Sequence, residues 1–110
     1  MFASKIASEV KARGVQCLIS SSEQQIFSII EKNENVLLIF DLHSEKINPF
    51  ALVQQLEMQY APTCSFITAA YYGHVQSELK EQAEEVGIDY IFTRGDIMNH
   101  INELLQVFTL

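Results

Sequence analysis

Val36-Leu37-Leu38-Ile39-Phe40-Asp41 is the stretch whose reading decides the fold: five apolar residues in a row end abruptly in a carboxylate. An unbroken apolar run of this length, bounded by polar residues, reads as a strand covered on both faces, as in the middle of a parallel sheet. In open α/β sheets, ligands and chemistry gather beyond the carboxyl ends of the strands. Asp41 stands at such an end, and the polar segment Leu42-His43-Ser44-Glu45-Lys46 follows it toward Asn48-Pro49.

Upstream of that strand, Ile26, Phe27, Ile29 and Ile30 supply the buried stripe of a helix that closes in the polar segment Glu31 to Asn35. Ser21 and Ser22 are its N-cap candidates, and Gln25, three residues after Ser22, completes a capping box. Val15 to Ile19 reads as a short strand. Before it, Phe2, Ile6 and Val10, with Ala3 and Ala7, form the apolar face of a helix ending at Gly14. Downstream, Asn48-Pro49 is an N-cap followed by proline in the first turn. That helix carries Leu52, Val53 and Leu56 and stops before Ala61-Pro62. Cys64 to Ala69 reads as a strand, and Tyr71-Tyr72-Gly73 as the loop after it, where the two aromatics mark either half-buried packing or a contact surface. The next helix turns Val75, Leu79, Ala83 and Val86 inward and Glu78, Lys80, Glu81 and Glu84 outward, closing at Gly87. Tyr90-Ile91-Phe92 is the last strand. Asp96 is expected to cap a final helix carrying Ile97, Ile101, Leu104, Leu105 and Phe108. Helices alternating with strands over short connections imply right-handed crossovers and a parallel sheet. The expected fold is α/β, a three-layer sandwich with helices on both faces of the sheet, as one domain over residues 1–110.

Composition narrows the function. A chain of 110 residues is the common size for one core and buries roughly two-thirds of its unfolded surface. No apolar run approaches the ~20 residues of a membrane span, and the N-terminus lacks the basic-then-apolar build of a secretory signal. A soluble, cytoplasmic chain with no membrane contact is expected. Net charge is −7, with the seven basic residues scattered, which excludes phosphate-neutralising nucleic-acid binding. Cys17 and Cys64 each sit in an apolar run and read as reduced core thiols. His43, His74 and His100 have no metal-ligand spacing; His43 reads as solvated and His74 as the start of a helix. The lack of a glycine-rich turn between strand and helix argues against a nucleotide-binding enzyme. No hydrolase constellation appears either, so a non-enzyme is expected.

Three features then carry a family resemblance: the strand ending in Asp41, the strand ending Ile67-Thr68-Ala69, and Gly87-Ile88-Asp89-Tyr90-Ile91-Phe92-Thr93-Arg94. Together with their spacing, they make the chain from Phe2 to about Leu105 resemble the receiver domain of bacterial two-component response regulators, the CheY-like superfamily with its flavodoxin-like fold. The resemblance implies a phosphorelay role in signal transduction. Asp41 would accept a phosphoryl group from a histidine kinase, the Thr68 hydroxyl would bond the phosphoryl oxygens, and Arg94 would pair with them. A phosphoryl group adds about −1.5 to −2 charge and three strong acceptors, so a cation, a hydroxyl donor and normally Mg2+ must meet it. Thr68 swinging inward would be the switch.

The sequence also departs from the family pattern. Receivers hold Mg2+ with an acidic pair at the end of their first strand; that strand would precede Phe2, where this sequence has only Met1. The lysine is Arg94, a planar fork rather than a point charge. The proline after it is Gly95, the aromatic switch position is Ile91, and the proline and glycine after the phosphoacceptor are Glu45 and the displaced Pro49. Gly73-His74-Val75 with Glu78, and Thr93-Arg94-Gly95-Asp96, look like a divergent receiver group. The missing first strand leaves three options: a longer protein, closure of the remaining strands, or donation by Val107-Phe108-Thr109-Leu110, within the chain or between copies in a homodimer. The plainer and favoured reading is that those four residues extend the last helix, since Phe108 continues the Ile97-Ile101-Leu104 spacing. Each site residue also has a plainer role: Asp41 as a cap of the next turn, Thr68 as a β-branched strand residue, Arg94 as a salt-bridge partner of Asp41 or Asp89. Two functions therefore stand side by side. One is phosphotransfer through Asp41 that controls protein–protein contact. The other is a phosphorylation-independent pseudo-receiver that acts as an interaction or dimerisation module.

Overall fold

Alternation along the strands sorts their side chains into two sets, and the helices cover both. The computed structural model describes residues 2–15, 22–32, 35–43, 47–59, 65–73 and 77–109. Three strands, β1 (Asn35–Asp41), β2 (Ser65–Tyr72) and β3 (Tyr90–Thr93), form a parallel sheet in the order β1-β2-β3. The helices are α1 (Phe2–Ala12), α2 (Glu23–Lys32), α3 (Pro49–Gln59), α4 (Ser77–Val86) and α5 (Arg94–Thr109). Val36, Leu38 and Phe40 of β1, with Phe66, Ala70 and Tyr72 of β2, pack against α2, α3 and α4 through Ile26, Ile30, Leu52, Val53, Leu56 and Ala83. The intervening residues, Leu37, Ile39, Ala69 and Tyr71, pack against α1 and α5 through Ile6, Val10, Ile97, Ile101, Leu104 and Leu105. The protein is thus α/β, with a three-stranded parallel sheet between two helical layers.

Local chemistry sets the helix ends. The Gln25 amide donates to Ser22 Oγ at 3.3 Å, and the Ala51 amide to Asn48 Oδ1 at 3.2 Å, each satisfying one of the orphan donors of a first turn. At the far end of α1, Gly14 takes a φ of 78°. The Val15 amide reaches Val10 O at 3.3 Å and the Gly14 amide reaches Lys11 O at 3.0 Å, the paired bonds of a Schellman ending. Gly87 ends α4 in the same way, with a φ of 86° and Ile88 bonded back to Ala83 O at 3.1 Å.

Two expectations change. The second strand does not stop at Ala69: β2 runs to Tyr72, and Tyr71 and Tyr72 are buried within it rather than displayed on a loop. Two large aromatics gain more from the helical layers than a loop could give them, so the contact-surface reading falls. The last helix is capped not by Asp96 but by Thr93, whose hydroxyl accepts the Asp96 amide at 3.2 Å; Asp96 instead places its charge in the first turn, where the helix dipole favours it. Of the two readings of the C-terminal segment, the plainer one holds: it is helical through Thr109 and extends α5. The expected strand beyond Val15, both cysteines, His74 and Val75 lie outside the described residues.

Candidate functional site

Parallel register decides which residues share the carboxyl rim of the sheet. Asp41 pairs with Tyr71, and Tyr71 with Phe92. By alternation, Asp41 and Tyr71 lie on the α1–α5 side, with Leu37, Ile39 and Ala69. Arg94 follows directly after β3 as the first residue of α5 and is exposed. Asp41 is half-buried, and its Oδ1 accepts the His43 amide at 2.9 Å, the turn-capping geometry of a strand-end aspartate. Below it, the Leu42 amide continues the ladder by donating to Tyr71 O at 3.1 Å.

Tyr71 lies within the field of both charged residues. Burial pushes its phenol up to about 12 from the ordinary 10.0; the Asp41 carboxylate adds to that rise and the Arg94 guanidinium opposes it. A neutral phenol is the form this pocket tolerates. Because the folded chain holds the phenolic proton more tightly than the unfolded one, its contribution to stability is complete below about pH 10 and is lost as the pH rises through about 12. An ultraviolet titration of the four tyrosines is expected to show one late step near pH 12. A Tyr71→Phe chain should lack that step, and its persistence there would assign it to another residue.

Thr68 does not join this group. It pairs with Leu38, three strand positions before Asp41, a separation of about 10 Å along the sheet. It also falls on the opposite face, in the alternating set of Phe66, Ala70 and Tyr72. Fully buried, it is bonded to the residue that precedes β3. The Thr68 amide and hydroxyl donate to Asp89 Oδ2 at 3.0 and 3.2 Å, and the Asp89 amide donates to Thr68 Oγ1 at 3.0 Å. The structure therefore brings Asp41 and Arg94 to one rim, each close enough to act on the Tyr71 phenol, and leaves Thr68 as a clamp between β2 and the amino end of β3. The signal for Tyr71 was present in the sequence: no turn residue interrupts Ala69-Ala70-Tyr71-Tyr72 before Gly73, and aromatics favour strands.

Two histidines also find partners. His43 is exposed, yet its Nε2 accepts the Gly73 amide at 2.8 Å. His100 stacks on Phe92 with ring centroids 5.0 Å apart, and its Nδ1 lies 3.0 Å from Glu103 Oε2. The spacing of three between His100 and Glu103 on one helix was open to view in the sequence, whereas nothing in it announces the His43–Gly73 contact. Among the described residues no three or more His, Cys, Asp or Glu side chains gather as a metal site. Among the described residues, no helix is long and apolar enough to cross a membrane. No family model matches the chain, and no curated protein matches it either.

Proposed function

We propose that this chain is a receiver-like module that works through protein–protein contact without phosphorylation of Asp41, its partner being a histidine kinase or another signalling protein. The sheet order β1-β2-β3 with α1 and α5 on one side supports the last three strands of a flavodoxin-like receiver layout. The observation that carries the functional reading is the commitment of Thr68 to Asp89. A phosphoryl group on Asp41 needs a short, mobile hydroxyl donor beside it. The hydroxyl that the sequence offers for this is on the other face, and the aromatic in register with Asp41 is packed among Ile97 and Ile101. Arg94 brings a permanent positive charge that acts on the same phenol as the Asp41 carboxylate does, with no phosphate-dependent step.

The second reading, Asp41 as phosphoacceptor, is favoured by its half-buried carboxylate at the carboxyl rim, with Arg94 acting on the same phenol as Asp41 does. One experiment separates the two. After incubation with a small acyl-phosphate donor and magnesium, intact mass is expected to show no phosphate-sized increase. An increase in the wild-type chain that Asp41→Asn abolishes would replace the first reading with the second.

A further inference from the structure

Beyond the sheet, two strand-end loops 30 residues apart in sequence are tied together by one imidazole: the Gly73 amide donates to His43 Nε2 at 2.8 Å. A ring nitrogen that accepts a hydrogen bond carries no proton, so the neutral ring must hold its proton on Nδ1. The His43 amide is itself held by Asp41 Oδ1 at 2.9 Å. Carboxylate, histidine and Gly73 amide thus form one chain across the rim, from the end of β1 to the residue after β2.

We propose that His43 is a proton-operated latch: with a neutral ring it holds Gly73, and on taking a proton at Nε2 it releases it. The imidazolium has a donor on each nitrogen, so its Nε2–H would face the Gly73 N–H with no acceptor between them. His43 is exposed, so the charged ring can turn into solvent, where water accepts both N–H groups and the Gly73 amide takes a water in exchange. Histidine is the side chain whose charge ordinarily changes between about pH 5 and pH 8. On the described elements at this rim, the other charged or titratable groups are Asp41 on β1, Tyr71 and Tyr72 on β2, and Arg94, Asp96, His100 and Glu103 on α5. The Asp41 carboxylate already receives the His43 backbone amide, so it draws the imidazolium toward β1 rather than toward Gly73. The backbone bond from Leu42 to Tyr71 O involves no titrating group. The strands therefore stay paired, and only the bond from Gly73 to His43 is released. The tie between His43 and Gly73 then depends on pH, and it does so whether or not the Asp41 carboxylate accepts a phosphoryl group.

Proton–nitrogen NMR of the full chain, followed from about pH 8 to about pH 5, tests this. At the upper end, Nδ1 of His43 is expected to carry the proton, and the Gly73 amide proton to lie downfield. On acidification the Gly73 amide should move with the same midpoint as the His43 ring, and its exchange, corrected for the intrinsic pH effect, should quicken roughly fivefold. His43→Gln keeps an acceptor that cannot titrate, so its Gly73 amide should hold still across the range; in His43→Ala it should be open at both ends. A wild-type Gly73 amide indifferent to the His43 titration, a neutral ring protonated at Nε2, or a His43→Gln chain that titrates like wild type would each overturn the latch.

Discussion

Replacing Ile97 with alanine is expected to lower the free energy of unfolding by about 3 kcal/mol. Ile97 is fully buried in the first turns of α5, among Ile6 and Val10 of α1 and Ala69 and Tyr71 of β2. Truncation removes three carbons from water-free surroundings and leaves a cavity that helices on one side and a sheet on the other cannot close by collapse. The site is also mechanically important. Arg94 lies one turn before Ile97, so this anchor fixes where the guanidinium stands relative to the rim. Urea unfolding should show a lower midpoint with an unchanged slope, and Ile97→Val should lose only about 1 kcal/mol. Met58→Ala is the control: that side chain is 84% exposed, and its loss should stay within about 0.5 kcal/mol. Equal losses for valine and alanine at position 97 would show that the two γ carbons, which valine keeps and alanine lacks, are not packed as described.

Thr68→Val is the second large effect, expected at about 2 kcal/mol of lost stability. The change conserves shape and removes only the hydroxyl, which both donates to Asp89 Oδ2 and accepts the Asp89 amide. Without it, that amide loses its acceptor where β2 meets the start of β3, and one of the two bonds to the carboxylate disappears. Thr68→Ser keeps the hydroxyl and should lose only what the missing methyl contributes, about 1 kcal/mol. The comparison bears on function as well as folding. A hydroxyl kept free for a phosphate-driven swing could be deleted at little cost to the resting fold, whereas a clamp cannot. Chemical denaturation of the three chains decides the matter: a valine chain as stable as wild type would remove the clamp and return Thr68 to the pool of mobile hydroxyls.

The features legible in the sequence are those fixed by covalent neighbours. Ser22 and Asn48 cap the helices that follow them, and Gly14 and Gly87 end the helices before them, because a cap is a bond between residues three apart and a left-handed residue is a local steric choice. The apolar run of β1 and the helical stripes of α2, α3 and α5 were equally plain, since burial on both faces leaves a continuous or periodic apolar pattern. Arg94, expected between the last strand and a helix capped by Asp96, is instead the first residue of α5, because Thr93 supplies the cap.

What the tertiary structure alone decided is which of these residues meet. The sequence permits β2 to run past Ala69, since no turn residue comes before Gly73, but the helical layers that bury Tyr71 and Tyr72 are what hold it in the sheet to Tyr72. The face that Thr68 takes depends on pairing with β1, where a shift of one residue would move every side chain to the other side. Its partner Asp89 is 21 residues away, and the partner of His43 is 30 away. Helix ends are set by bonds spanning a few residues, which a sequence shows directly. A rim is assembled by strands drawn from across the chain, and its membership is fixed only once their register is.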